Sequence, residues 1–257
     1  DFVGYSTGEH GLYFEGNTLT SGGSITLSAY SGSSSSSYYG LYSASTFTAD
    51  QNIIIQGAQL AASTAGNLSS AATDNPIVFA TADTNTDVTG YDGDRTVYIR
   101  QDLTATNGYI KILGETNLSA DLTAGTGITI DGGDIDISGT FETTEANADI
   151  KVLSDAGIYS LGNISLTSGT GGDVWLISDT DNSGGGSIAN SYNLTISSNG
   201  GEIRLAGGNT SGTGYATGIN TNYSEGIDLR GTVNINSSNG NIIFKGKCSR
   251  DETLLSI

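Results

Sequence analysis

Positive charge is scarce in this sequence. Nine Lys and Arg stand against 27 Asp and Glu, for a net charge of −18. A phosphate backbone or an anionic lipid surface would repel such a chain, so nucleic-acid binding and membrane-surface binding are not expected. Cysteine is almost absent. Cys248 stands alone, so no disulfide can form within the chain, and a core must be stable without one. Proline is reduced to Pro76, which removes collagen and Pro-rich linkers from consideration. His10 is the single histidine, and it leaves no basis for a Ser-His-Asp site. Methionine is missing even at position 1, so Asp1 is expected to be an internal or processed start, with any signal peptide outside the sequence. No apolar run reaches 18 residues, and membrane insertion is not expected. Hydrophobic residues make up 36%, low for a globular enzyme.

What the chain has in excess is glycine, 38 residues, together with Ser, Thr, Asn and Ala. Such polarity also occurs in disordered chains. Here it is interrupted at regular intervals by short runs rich in Ile, Leu, Val and Phe. The stretch 197–207 shows the pattern: a turn (Ser198-Asn199-Gly200-Gly201), a strand alternating polar and apolar (Glu202-Ile203-Arg204-Leu205), and a closing Gly207. The alternation has period 2, so Ile203 and Leu205 are expected to face inward, and Glu202 and Arg204 outward.

Longer units repeat. Gly11-Leu12-Tyr13 opens one and Gly40-Leu41-Tyr42 another. Each then carries an apolar residue in its second strand (Leu19, Phe47) and closes on an Ile-centred strand (Ile25-Thr26-Leu27, Ile53-Ile54-Ile55). A third copy runs from Gly226 to Gly246. Between residues 58 and 95 the pattern weakens around one apolar strand, Ile77-Val78-Phe79. This reads as a loop-rich excursion, with a domain boundary as the alternative. Periodicity returns at Thr96 and continues to Gly246. Residues 247–257 differ in composition and read as a tail or cap. No window has a 3.6-residue period, so almost no helix is expected.

The fold class is therefore all-β. Gly and Asn-Gly turns serve hairpins and coils alike. The constant order of strand and turn favours coils stacked in register, each burying its apolar face on the next: a parallel β-helix, or solenoid, over 1–246. Coils of about 20–25 residues would give about ten coils and a rod of roughly 50 Å. A β-sandwich is the alternative.

The recurring Asn/Ser-Gly-Gly-x-Ile-x-Leu units at 199–205 and 21–27, with a looser copy at 238–244, resemble the filamentous-haemagglutinin-like repeat region of very large bacterial exoproteins and adhesins of the two-partner-secretion type. The stretches 174–188 and 214–218 add to the likeness. It covers most of the chain outside roughly 58–95 and the tail. The Asn-rich secretion motif of that family's export domain is missing, so an interior segment is implied. The resemblance implies a right-handed parallel β-helix, a secreted or bacterial cell-surface location, and a part in adhesion, aggregation or matrix building.

Candidate sites are few. Asp179-Thr180-Asp181-Asn182-Ser183-Gly184 places oxygen ligands at alternate positions, as a Ca²⁺ loop does. The twelfth position is Asn190 rather than an acid, and a plain polar turn competes. Asp179, Asp181 and Ser183 are thus the metal candidates, and no other cofactor is expected. Tyr38, Tyr39 and Tyr42, with Tyr5 and Tyr13 nearby in sequence, are candidates for a ligand-binding surface. Trp175 is a candidate sugar-stacking residue; packing at a coil corner is the competing reading. Asp134 and Asp136 fall on one strand face, as a polysaccharide hydrolase or lyase would need, but chance pairs are expected among 27 acids. Asn-x-Ser/Thr sequons at Asn67, Asn117, Asn163, Asn193 and Asn222 are expected by chance.

The sequence thus points to a structural adhesin or matrix segment, not an enzyme. Its expected partners are other copies or neighbouring segments of the same protein, or a carbohydrate or host-surface receptor. A self-assembling filament subunit and a β-helical polysaccharide-degrading enzyme are the alternatives.

Overall fold

In a computed structural model of the chain, residues 102–248 are described except 106, 114 and 219–223. Before residue 100 only the strands are described, by their backbone pairing, with side chains at 12–14 alone.

Among the described residues a small sheet pairs Ala216–Thr217 with Gly246–Lys247, and two long sheets make up most of the structure, with the chain alternating between them. One has ten strands, the other 14, and no helix occurs among the described residues. The ten-stranded sheet takes its strands in simple chain order: Phe2–Ser6, Ile25–Ser31, Ile53–Ala58, Ile77–Ala80, Tyr109–Leu113, Gly127–Gly132, Asp149–Ser154, Val174–Ser178, Ile203–Gly207 and Ile242–Phe244. Between each two of these the chain visits the other sheet, through one long strand such as Ile135–Thr143 or two short ones such as Ile188–Asn190 and Leu194–Ser197. Every pairing between named strands is parallel; the antiparallel contacts are two isolated bridges, Gly186–Thr217 and Gly207–Gly214. A sandwich built from hairpins needs antiparallel neighbours. The observed order is instead compatible with a β-helix.

Register is what makes the core. Ile110, Ile128, Ile150, Val174 and Ile203 are successive partners on the ten-stranded sheet, as are Ile112, Ile130, Val152, Leu176 and Leu205. All ten are buried, none more than 3% exposed. The second sheet answers with the columns Ile135-Ile158-Ile188 and Phe141-Leu166-Ile196, also buried. Parallel strands lie about 4.8 Å apart, so like side chains meet like at van der Waals distance along each column. In the long strands the two columns are joined across a bulge. Between Ile137 and Gly139 the register against Ile158–Thr167 shifts, and Gly139 has φ +118°. That backbone suits glycine, and a Cβ there would also run into the Ala120 carbonyl.

The repeats legible in sequence are register partners. Leu12 pairs with Leu41, Tyr13 with Tyr42, Leu19 with Phe47 and Ile25 with Ile53. Ile203 and Leu205 are fully buried, and Glu202 and Arg204 are partly exposed, as the period-2 reading requires. Within 58–95, the strands Leu60–Ala62, Leu68–Ser70 and Ile77–Ala80 join the two sheets; 81–95 lie outside the described residues. The spacing of partners is less even than 20–25 residues: 18 from Ile110 to Ile128, 39 from Ile203 to Ile242. The long pass contains an insertion, 208–217, that folds back over the outer face of the ten-stranded sheet. It covers Ile177 and Ala206, both fully buried; a Cβ on Gly212 would fall 2.5 Å from Ile177 Cδ1. Asn209 holds this loop in shape by accepting the N–H groups of Ser211 and Thr213, and Arg204 anchors it by donating to the Ser211 carbonyl at 2.6 Å.

Candidate functional surface

Seven acidic and amide side chains accept backbone N–H groups that lie beyond the regular ladder. Asp102 accepts the N–H of Asp121, and Asp121 that of Thr140. Asp149 accepts from Asp173 N–H, and Asp173 from Glu202 N–H at 2.7 Å. Asp134 accepts from Gly157 N–H. Asn163 accepts from Asn193 N–H, and Asn193 from Thr232 N–H. Each of these side chains satisfies a donor one pass further along, 19 to 39 residues away in sequence. A carboxylate accepting an N–H is a strong, charge-assisted bond, which explains why acids rather than bases gather here.

A second set of staples is buried. Ser168, Ser198 and Ser237 each donate to a turn carbonyl three or four residues on, at Gly172, Gly201 and Gly240, over 2.6–2.7 Å. Ser154 and Ser178 close their turns on Gly157 and Gly186. The Ser-x-x-Gly spacing of the recurring turn therefore has a physical meaning. The hydroxyl replaces water for a buried carbonyl, and the glycine leaves room for the preceding pass: a Cβ on Gly201 would strike the Gly172 carbonyl, and one on Gly240 the Gly201 carbonyl.

The Asp179 loop is a turn of the same kind. Asp179 is buried with φ +54°, and its Oδ1 accepts Gly184 N–H at 3.0 Å and the Ser183 hydroxyl at 3.4 Å. Asp181 Oδ1 accepts Ser183 N–H. Asp179 and Ser183 are thus brought together, with the carboxylate turned toward donors of its own loop. Among the described residues no group of three or more His, Cys, Asp and Glu is placed to hold a metal ion.

The Asp134/Asp136 pair carries a perturbation of the kind an acid-base site uses. Burial, then the neighbouring Asp134 charge, holds the Asp136 carboxyl above the ordinary range. Asp131 is raised likewise by burial and by Asp155, with Lys111 opposing. In each case the neighbouring carboxylate is engaged: Asp134 by Gly157 N–H, and Asp155 by the Thr180 hydroxyl at 2.5 Å.

Trp175 lies on the outer face of Val174–Ser178, in register with Lys151 on one side and Arg204 on the other. Lys151 Nζ is 4.9 Å and Arg204 Cζ 5.2 Å from the ring centroid, so cations from both flanking strands cover the indole. Each cation is also paired two residues back on its own strand, Lys151 with Asp149 and Arg204 with Glu202, both at 2.7 Å. A sugar ring needs an open indole face. Here Lys151 and Arg204 lie over the ring, the indole is half-buried, and Trp175 sits within a strand of the stack rather than at a coil corner.

Of the tyrosine candidates, Tyr38 and Tyr39 lie outside the described residues, and Tyr42 is placed only by backbone, as the partner of Tyr13. Tyr13 itself is 54% exposed. Along the same column follow Ala61 and Tyr98, so three tyrosines share four successive register positions. Among the sequons, Asn163 and Asn193 are staples of the stack, and Asn117 has its side-chain oxygen buried. Asn67 and Asn222 lie outside the described residues. Sequence reading missed the staples because each joins residues a whole pass apart; the recurrence of Asp or Asn just before each apolar strand was the available signal.

No family model, no curated protein and no solved structure matches this chain.

Proposed function

We propose that the chain is a right-handed parallel β-helix acting as a rigid segment of a secreted or cell-surface adhesin or matrix protein. The observation that carries this reading is the use of the polar side chains. Asp102, Asp121, Asp134, Asp149, Asp173, Asn163 and Asn193 are committed to N–H groups of the next pass. A stack tied from pass to pass by these side chains is built for stiffness, and its contacts with other surfaces are made by loops and exposed tyrosines. Such contacts are individually weak and gain strength by repetition. Handedness and cell-surface location rest on the resemblance to filamentous-haemagglutinin-like repeats.

Beads coated densely with the chain, compared with the same chain free in solution, test the reading on bacterial cells, host cells and immobilised polysaccharide. Adhesion by the beads, competed only weakly by free chain, is the expected result. Beads that adhere no more than albumin-coated ones would sink the adhesive reading. Bond cleavage in the polysaccharide, lost on Asp136→Asn, would instead support the enzyme alternative.

A further inference from the structure

The outer face of the 14-stranded sheet carries a register column rich in tyrosine. Its nine positions follow one another pass by pass from Tyr13 to Asp228. Tyr13, Tyr42, Tyr98 and Tyr159 hold positions one, two, four and seven, and Asn117 and Asp136 stand at five and six. Ala61, Ala189 and Asp228 complete the column, so it contains no Lys or Arg. At about 4.8 Å per strand, Tyr13 and Tyr159 lie roughly 29 Å apart.

Around Asp136 this column is short of partners. The Asp136 side chain is half-buried, and among the described residues no hydrogen bond or ion pair engages it. On one side its register partner Asn117 keeps a side-chain oxygen buried without a donor. On the other side stands Tyr159, which leans back along its own strand: its hydroxyl lies 2.2 Å from where a Cβ on Gly157 would be. Asp134 accepts the N–H of that same Gly157, so a second carboxylate reaches the residue the ring leans over. Burial and the Asp134 charge hold the Asp136 carboxyl above its ordinary range, the sign of an acid without a counter-charge. A ligand that suits this place supplies N–H donors and positive charge, and an aromatic ring beside the acids suits a cation as well. The same acids repel a polyanion. Tyrosines repeated along the column suit a chain of rings, each with a face to lay on an aromatic one, rather than a single ion.

We propose that this column binds an amino-sugar polysaccharide, with one sugar ring on Tyr159, its ammonium group held by Asp136 and Asn117, and the polymer running along the stack toward Tyr98, Tyr42 and Tyr13. This deepens the adhesive reading above and rests on it. It names a surface, the outer face of the 14-stranded sheet, and a ligand class, a glycan with free amines. Each sugar adds a weak contact, and the polymer gains affinity by making several at once.

The full 257-residue chain is titrated by calorimetry with three probes, a β-linked glucosamine hexamer, its fully N-acetylated counterpart and hexalysine. The titrations run at about pH 6, where amines carry a proton and ordinary carboxylates do not. The glucosamine hexamer is expected to bind, and the N-acetylated one about ten-fold more weakly. Asp136→Asn should bring the glucosamine hexamer down to the N-acetylated level, and Tyr159→Ala should weaken it about three- to five-fold. Tyr98→Ala should weaken the hexamer and leave single glucosamine unaffected. Asp181→Asn removes a charge from the turn after Val174–Ser178, outside this column, and should leave every titration unchanged. A glucosamine hexamer that does not bind overturns the proposal. So does an N-acetylated hexamer that binds as tightly, since the acids then read nothing. Hexalysine binding as tightly and indifferent to Tyr159→Ala also overturns it, leaving an acidic patch that holds any cation. Chains that bind the hexamer while coated beads adhere to nothing would sink the adhesive reading and keep the column; beads that adhere while the hexamer is ignored would do the reverse.

Discussion

Phe244 pairs in register with Leu205, but Leu205 is fully buried and Phe244 is 47% exposed. The two residues hold the same place in successive passes, and among the described strands Leu205 lies between two partners while Phe244 has one. Truncation should therefore cost very different amounts. Leu205→Ala removes packing on all sides and is expected to lower stability by about 2–5 kcal/mol. Phe244→Ala is expected to cost about 1 kcal/mol or less in the monomer. Urea denaturation of both variants at a concentration where the chain is monomeric checks the contrast; equal losses would mean that the last strand is as well covered as the one before it.

The staples give a second prediction. Asp173 Oδ1 accepts Glu202 N–H at 2.7 Å, and its own N–H is held by Asp149. Asp173→Ala leaves a partly buried donor without an acceptor and should cost about 1–3 kcal/mol. Asp173→Asn keeps an oxygen at the same place and should recover most of that loss. Asp181, on the exposed tip of its turn, should tolerate Ala within about 0.5 kcal/mol. The shift in denaturation midpoint across these three variants is the measurement.

The raised carboxyls predict a pH dependence. Asp136 titrates above its ordinary 3.8 in the folded chain because burial and Asp134 disfavour the anion. The folded state thus binds this proton more readily than the unfolded state. Its contribution to stability is fully present below 3.8 and is lost as pH rises through the folded value, so at neutral pH the ionised Asp136 is a net cost. Asp136→Asn should raise the thermal midpoint at pH 7, and the gain should disappear below about pH 3.8. Thermal melts of wild type and variant from pH 3 to pH 7 report it; a variant less stable than wild type at pH 7 would contradict the assignment.

Trp175 offers an optical test, since it is the single tryptophan. With Lys151 and Arg204 against the ring, its emission should shift on Lys151→Met or Arg204→Gln. It should not respond to soluble oligosaccharides, because Lys151 and Arg204 already lie over the ring. Saturable quenching by a sugar would restore the stacking-platform reading.

Much of the fold was legible because a stacked parallel sheet writes its register into the sequence. Gly-Leu-Tyr at 11–13 and at 40–42, and the Ile-centred strands at 25–27 and 53–55, look alike because they lie on one another. The site was less legible. Asp134 and Asp136 read as a possible catalytic pair because spacing along one strand is visible in sequence. That Asp134 reaches Gly157, a pass away, is not. The choice between a sugar-stacking and a packing role for Trp175 stayed open for the same reason: its neighbours Lys151 and Arg204 are 24 and 29 residues distant in the chain. The insertion at 208–217 was invisible as cover, because its link to the face beneath is Gly212 lying close against Ile177 rather than any pattern of its own.

The central claim is that strands stack parallel and in register from one end of the ten-stranded sheet to the other. Spin-label distances along one register column test it most directly. Thr26, Ile54, Val78, Lys111, Thr129, Lys151, Trp175, Arg204 and Ile243 are successive partners in that column. With Cys248→Ser to clear the background, labels at Ile243→Cys and Lys111→Cys should lie about 24 Å apart, and labels at Ile243→Cys and Thr26→Cys about 38 Å apart, at about 4.8 Å per strand. Distances that do not lengthen with the number of intervening strands would contradict the stack.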